Sequence, residues 1–127
     1  MPFVRIDILQ GRSSEQLHAI SDGVHRAMVE AIGVPALDRF QVLEEHAPGR
    51  LISDPEYLGV RRSADAVFIQ ITLNTGRTLD QKRALYAAIA RNLTASPGVR
   101  TEDILVNLVE VVKENWSFGN GVAQYAS

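Results

Sequence analysis

The chain has 127 residues, of which 46% are hydrophobic and 22% charged, and a formal net charge of -2. That length supports a single soluble domain with a sizeable core, and the charge excludes the basic field that a nucleic-acid binder needs. There is no cysteine, which removes disulfides, thiolate nucleophiles and cysteine-ligated zinc; the apolar runs are too short to span a bilayer and the amino terminus lacks a signal-peptide pattern, so a cytoplasmic protein without membrane or nucleic-acid partners is expected.

Met1-Pro2 leads directly into Phe3-Val4-Arg5-Ile6-Asp7-Ile8-Leu9. Val4, Ile6 and Ile8 fall on one face and Arg5 and Asp7 on the other, the period of two of a half-buried strand. Removal of Met1 would leave the secondary amine of Pro2 at the head of that strand. After the turn at Gly11, Ser13 and Gln16 have capping-box spacing, and Leu17, Ile20, Val24, Ala27, Met28 and Ala31 recur as one helical stripe, stopped by Gly33 and Pro35. A second strand is predicted from Arg39 to Glu45. The segment 47–65, with Pro48, Gly49, Pro55 and Gly59, reads as a long connecting loop, either a solvated linker or the edge of a binding site. A third strand follows over 66–73. Thr78 and Gln81 repeat the capping spacing, Leu79, Leu85, Tyr86, Ile89 and Leu93 form the next helical stripe, and 104–112 is the last long strand. In the tail, Asn120-Gly121 signals a hairpin turn, with Val122 to Tyr125 as a short return strand.

Much of this pattern occurs twice. Shifting the chain by 65 residues brings Phe3-Val4-Arg5-Ile6-Asp7-Ile8 onto Phe68-Ile69-Gln70-Ile71-Thr72-Leu73 and Gly11-Arg12-Ser13 onto Gly76-Arg77-Thr78. Without a gap, Gln16 then meets Gln81, Gly33-Val34 meets Gly98-Val99, Asp38 meets Asp103 and Glu45 meets Glu110. The chain therefore divides into β-α-β copies over about 2–46 and 66–112, joined by the loop 47–65 and followed by a hairpin segment 113–127. Such units cross over right-handed and form parallel pairs. Side by side they make an α+β fold, a four-stranded mixed sheet with two helices on one face. The other face carries Phe3, Leu9 and Phe68 among Arg5 and Asp7 and requires a cover, for which a homo-oligomer is the simplest source.

Few residues outside the repeat suggest chemistry. His18 and His25 are seven apart with no third ligand at standard spacing, so no metal site is called for. Ser13 and Ser14 read as helix caps, without the histidine-acid partner of a nucleophilic triad. Arg77 lies in a strand-to-helix turn, where a guanidinium can fork onto a carboxylate. Trp116 and Phe118 lie beyond the repeat and suit either a plug for the sheet edge or subunit interface, or an apolar wall for a small ligand.

Met-Pro followed by a strand, the duplicated β-α-β units, Pro35-Ala36-Leu37-Asp38-Arg39-Phe40-Gln41, Gly76-Arg77-Thr78 and Trp116-Ser117-Phe118-Gly119 together resemble the tautomerase superfamily. Within it the likeness is strongest to malonate semialdehyde decarboxylases. The resemblance implies a homotrimer whose sheets close around a central barrel, cofactor-free chemistry at an amino-terminal Pro2, Asp38 as the acid that positions and protonates it, and Arg77 as the cation for a substrate carboxylate. Trp116, Phe118 and Tyr125 match the apolar wall of the substrate site. The best-known decarboxylase has two arginines one residue apart in the turn after the third strand; here Thr75 stands at the first of these substrate-binding positions and Arg77 alone remains. The chain also stops at Ser127, short of the tail that relatives carry. The expected function is that of a lyase acting on a small 3-oxo acid; the same residues with Pro2 as base suit a tautomerase of a small 2-oxo acid or enol, and a retained Met1 would leave a small-carboxylate binding protein without turnover.

Overall fold

The computed structural model describes residues 1–126. In chain order it contains β1 (Phe3–Leu9), α1 (Ser14–Ile32), β2 (Gln41–His46), β3 (Glu56–Tyr57), β4 (Val60–Arg61), β5 (Val67–Asn74), α2 (Leu79–Ala95) and β6 (Ile104–Val111). Four strands form one sheet in the order β2-β1-β5-β6. β1 and β2 are parallel, as are β5 and β6, while the central pair β1 and β5 is antiparallel.

The repeat is carried into the register. Val4 lies opposite Gln41 and Ile69 opposite Val106, the same pairing 65 residues on. Arg5 lies opposite Gln70, its own equivalent, so the two-fold axis relating the copies passes through that pair. The helix starts match too. The Ser13 hydroxyl accepts from the Gln16 backbone N–H at 3.2 Å while the Gln16 side chain accepts from Ser13 N at 2.9 Å, and Thr78 and Gln81 repeat both bonds at 3.2 and 2.9 Å. Gly33 ends α1 at φ 70°, the left-handed conformation that glycine adopts without a Cβ penalty.

Both helices cover one sheet face. Val4, Ile6, Ile8, Ile69, Ile71 and Leu73 from the sheet are sealed beneath Ile20, Val24, Met28, Leu85, Ile89 and Leu93, each worth about 1.5–3 kcal/mol of transfer free energy when fully buried. The helices meet at Gly23, where an added Cβ would lie 2.9 Å from Leu93 Cδ2 and where Asn92 Nδ2 donates to the Gly23 carbonyl at 3.0 Å. This close approach turns α2 onto Ala88 and Asn92. Leu79 and Tyr86, expected on its buried stripe, are exposed instead.

Three further expectations are corrected. β2 begins at Gln41 rather than Arg39, because the Arg39 side chain is held by Asp22 on α1 at 2.6 Å and only Val4 N to Phe40 O, at 2.9 Å, ties that stretch to the sheet. The connecting segment contains a small β3-β4 hairpin, turned by Leu58 and Gly59 at φ 53° and 79°. No strand forms over 122–125: the Gln124 side chain accepts from Phe118 N and donates to the Gly119 carbonyl, both at 2.9 Å, so it takes the bonds that a return strand would have made.

Candidate active site

The sheet topology brings the starts of β1 and β2 and the ends of β5 and β6 to one edge of the molecule. The chain begins there. Pro2 is buried, and the Met1 amine ahead of it lies 3.9 Å from Asp38 Oδ2. The Asp38 side chain is only 11% exposed, and its Oδ1 is buried without a hydrogen-bond partner among the described residues. A buried acceptor left unpaired costs about 1–3 kcal/mol, more for a charged group, so such an atom points to a partner supplied by something else.

Asp38 is held there by the segment that follows α1. Its N–H donates to the Pro35 carbonyl at 3.0 Å. His25, buried on α1, donates from Nε2 to the Ala36 carbonyl at 2.8 Å, and Gln41 Nε2 donates to Ser21 O at 2.9 Å. With the Arg39–Asp22 pair, these contacts clamp both sides of Asp38 to the first helix. His25 is thus a positioning group for the loop, and His18 is exposed.

Arg77 and Thr75 reach the same edge from the turn between β5 and α2. Thr75 is exposed, and its N–H donates to the Val111 carbonyl at 3.0 Å. Arg77 is half-buried, with Nη1 donating to the Asn74 carbonyl at 3.2 Å. The amino terminus is held below its ordinary value of 8.0, first by burial; Asp38 opposes this, and the positive charges of Arg77 and Lys113 add to it. Burial beside cations therefore outweighs the acid and favours a neutral amine. The Tyr125 phenol is pushed up, by burial and then by the charge of Asp38.

An aromatic wall closes the site. Trp116 stacks on Phe118 with ring centres 5.5 Å apart and planes 8° from parallel; Phe40 lies 5.9 Å from Phe118, and Tyr125 meets it edge-on at 5.2 Å. The Trp116 indole Nε1 donates to Asn74 Oδ1 at 2.7 Å. Asn74 thus holds the indole with its side chain and the guanidinium with its carbonyl. The structure gathers Pro2, Asp38, Arg77, Trp116, Phe118 and Tyr125 around one edge, and adds Asn74, Phe40 and Lys113. Phe40 is visible in sequence only within the Asp38-Arg39-Phe40-Gln41 stretch, whereas Asn74 and Lys113 carry no signal of their own.

Elsewhere, Asp7, Glu44 and His46 come together on the helix-free sheet face, with candidate ligand atoms within 4.8 Å of one another. Arg5 binds Glu44 at 2.6 Å and Asp7 at 3.3 Å, and His46 Nε2 lies 2.7 Å from Asp7. The cluster is internally paired. The segment 47–65 packs at the opposite edge, where Leu9, Leu51, Arg62 and Ala66 line a cavity of about 370 Å³, so within this chain it does not border the candidate site.

Two profiles, both described as tautomerase enzyme, match residues 38–119 and 2–61. A probable tautomerase, YusQ of Bacillus subtilis (strain 168), is 43% identical over 98% of each chain. Among solved structures, FG41 malonate semialdehyde decarboxylase inhibited by 3-bromopropiolate superposes with a TM-score of 0.90 at 42% identity, covering 97% of this chain and 93% of that one. A wild-type fused 4-OT symmetric trimer superposes with a TM-score of 0.79 at 26% identity over 98% of each chain.

Proposed function

Because this chain belongs to the tautomerase superfamily, we propose that it is a cofactor-free lyase of the malonate semialdehyde decarboxylase type, working through the amine of Pro2 once Met1 is removed. The observation that carries this reading is the half-buried amino terminus near Asp38 Oδ2, beside an Oδ1 that is buried without a hydrogen-bond partner among the described residues. Removal of Met1 would expose the Pro2 nitrogen as an N–H donor at the same edge as Asp38. The likeness to the solved decarboxylase supports the reaction type.

In this reading Arg77 binds the carboxylate of a small 3-oxo acid, and the wall of Trp116, Phe118, Phe40 and Tyr125 excludes water from its carbon chain. The bond from the carboxyl carbon breaks, carbon dioxide leaves, and the electron pair moves toward the carbonyl to give an enolate. Protonated Pro2, positioned by Asp38, donates a hydrogen bond to the oxygen where the charge collects. Protonation of the enolate carbon completes acetaldehyde when the substrate is malonate semialdehyde. Three copies closing their sheets would cover the face that exposes Phe3, Leu105 and Val109, and the trimeric structural neighbour supports a homotrimer.

A second reading rests on the surroundings of the amino terminus, where burial and the charges of Arg77 and Lys113 lower the Met1 amine. A neutral secondary amine is a base, and with the same carboxylate clamp it would move a proton in a small 2-oxo acid or enol. The two readings have opposite pH responses. Activity that needs the ammonium form of Pro2 falls as pH rises through the pKa of that amine, whereas activity that needs the free base rises; the burial and cations that lower the Met1 amine act at this same edge. The deciding experiment takes protein shown by intact mass to lack Met1 and measures carbon dioxide release from malonate semialdehyde beside ketonisation of a small enol acid, each as kcat/KM against pH. Decarboxylation that is absent, or that survives acylation of the Pro2 amine, would sink the proposal. Protein retaining Met1 has a tertiary amide at Pro2 and is expected to turn over neither substrate.

A further inference from the structure

The aromatic wall belongs to the tail that follows the short helical turn Lys113–Asn115, and this tail is bonded mainly to itself. Gln124 ties Phe118 N and the Gly119 carbonyl, each at 2.9 Å, while Val122 N reaches Gly119 O at 3.5 Å and Ala126 N reaches Ala123 O at 3.1 Å. The rings continue the unit, with Trp116 stacked on Phe118 and Tyr125 edge-on to it. Among the described residues, one hydrogen bond joins the segment 116–126 to the sheet: Trp116 Nε1 donates to Asn74 Oδ1 at 2.7 Å. The contact of Phe118 with Phe40, 5.9 Å between ring centres, is its apolar counterpart.

Asn74 ends β5 opposite Val111, two residues beyond the pair of Phe3 with Thr72, and so stands at the edge where the chain begins. Its carbonyl accepts from Arg77 Nη1 at 3.2 Å. The duplication supplies an internal control for the side chain. The equivalent residue is Leu9, and the backbone around it is the same: Gln10 N to His46 O at 2.8 Å matches Thr75 N to Val111 O at 3.0 Å, and Gly11 and Gly76 have φ of 123° and 122°. A leucine therefore satisfies this turn, and the fold does not require an amide there. What the second copy has and the first lacks is an aromatic tail to hold. The indole N–H is a donor only, so it fixes the amide with its oxygen toward the ring.

We infer that Asn74 is a positioning residue of the site: its side-chain amide holds the aromatic tail 116–126 against the turn that carries Arg77, so that the carboxylate and the carbon chain of one ligand are met together. This rests on reading the site as one for small oxo acids. Asn74 acts through Trp116. Without the amide oxygen the tail keeps its own bonds and loses its polar tie to the sheet, so the wall moves as a unit away from the guanidinium and water reaches the ligand's carbon chain. Contacts of that kind are made alike by substrate and transition state, which places the effect on binding rather than on the bond-breaking step.

The test uses protein lacking Met1 and compares the parent with Asn74→Leu, which installs the side chain of the equivalent position, and with Asn74→Asp, which keeps an acceptor for the indole. Trp116 is the one tryptophan of the chain, so quenching of its fluorescence by acrylamide reports on the wall without any substrate. Quenching is expected to rise in Asn74→Leu and to stay at the parent's level in Asn74→Asp, whose added charge confines it to this readout. Asn74→Leu should weaken propanoate binding, followed by NMR, and raise KM for malonate semialdehyde about three- to tenfold, the size of one neutral hydrogen bond, with kcat within about twofold of the parent. In Trp116→Phe, which has no indole N–H, Asn74→Leu should change propanoate affinity by less than about twofold, because the two residues act as one. A lowered unfolding midpoint with unchanged propanoate affinity and KM overturns the inference, as does an undiminished effect of Asn74→Leu in the Trp116→Phe background. Asn74→Ala replaces Asn74→Leu, with the same expectations, if the leucine variant does not fold. A parent protein whose propanoate binding is weakened by Asn74→Leu, yet which releases no carbon dioxide from malonate semialdehyde, removes the proposed reaction and leaves the assignment of Asn74 standing.

Discussion

Asp38 and Asp103 are equivalent in the duplication and stand at opposite edges of one sheet. Asp103, 2% exposed, accepts from Ser63 N at 2.7 Å on one oxygen and from Ser63 Oγ at 2.6 Å on the other. Both of its oxygens are used, and the end of the connecting segment is anchored by them. Asp38 has one oxygen 3.9 Å from the amino terminus and the other without a partner among the described residues. What separates the two edges is the chain itself. At the position equivalent to Pro2, the backbone runs through Val67, so no amine can exist and a hydroxyl and an amide from the preceding loop fill the space. The duplication thus supplied two similar acid-bearing edges, and the one where the chain begins retains an unsatisfied acceptor beside a titratable nitrogen.

The sharpest way to break this comparison is to neutralise each acid. Asp38→Asn is expected to lower kcat/KM about 10²- to 10⁴-fold, the range for a positioned proton-transfer group, and to leave the unfolding midpoint where it was or raise it. If Asp38→Asn retains full activity, the amino-terminal edge is no more catalytic than its twin.

Arg77 and Arg12 form the next pair. Arg77 reaches the edge with the amine, whereas Arg12 lies with Leu9 and Asp65 around a shallow cavity at the other edge. Arg77→Ala should raise KM about 10- to 100-fold through loss of a charge-assisted contact, measured on the carboxylate substrate, while Arg12→Ala should leave KM within about twofold by lacking any substrate to hold. Equal effects would mean that the site draws on both edges, as it can only if a neighbouring copy presents Arg12.

How much of this was legible in sequence follows the same division. The 65-residue repeat, both capping boxes and the α1 stripe are local or repeated patterns, and each was readable from spacing alone. The exposure of Leu79 and Tyr86 was not, because it depends on how closely α1 and α2 approach at Gly23, a contact between helices far apart in sequence. In the tail, the Asn120-Gly121 turn signal was real at the level of backbone conformation, since Asn120 has φ 61°, but a side chain from Gln124 displaced the strand it would have introduced. At the site, Pro2, Arg77, Trp116 and Phe118 stood out by their places in the sequence, while Asp38 and Tyr125 were singled out through resemblance to a family. Asn74 and Lys113 were missed because their significance lies in which turns face each other, and no spacing along the chain encodes that.

Asp103→Asn tests the structural edge alone. Replacing one acceptor oxygen with an amide removes the charged acceptor of the Ser63 hydroxyl, which must turn to accept instead, and stability should fall by about 1–3 kcal/mol, seen in chemical denaturation, with kcat unaltered. Loss of kcat at unchanged stability would show that the two edges communicate and that Asp103 is more than an anchor.

The smallest expected effects come from the helix caps, where the copies remain alike. Ser13→Ala and Thr78→Ala each remove an acceptor from the first turn of a helix and should each cost about 1 kcal/mol. Both caps hold the same two bonds at the same lengths, 3.2 and 2.9 Å, and both are exposed; Thr78 adds a long contact from its hydroxyl to Gln81 Oε1 at 3.4 Å. The turns that precede them match as well, with Gly11 and Gly76 at φ 123° and 122°. The two losses should therefore agree within about 0.5 kcal/mol and add in the double variant, as expected for separated sites. A markedly larger loss for Thr78→Ala would have a specific source: its cap follows directly on Arg77, and a frayed first turn of α2 would release the guanidinium, so KM should rise with the stability loss in that variant and not in Ser13→Ala.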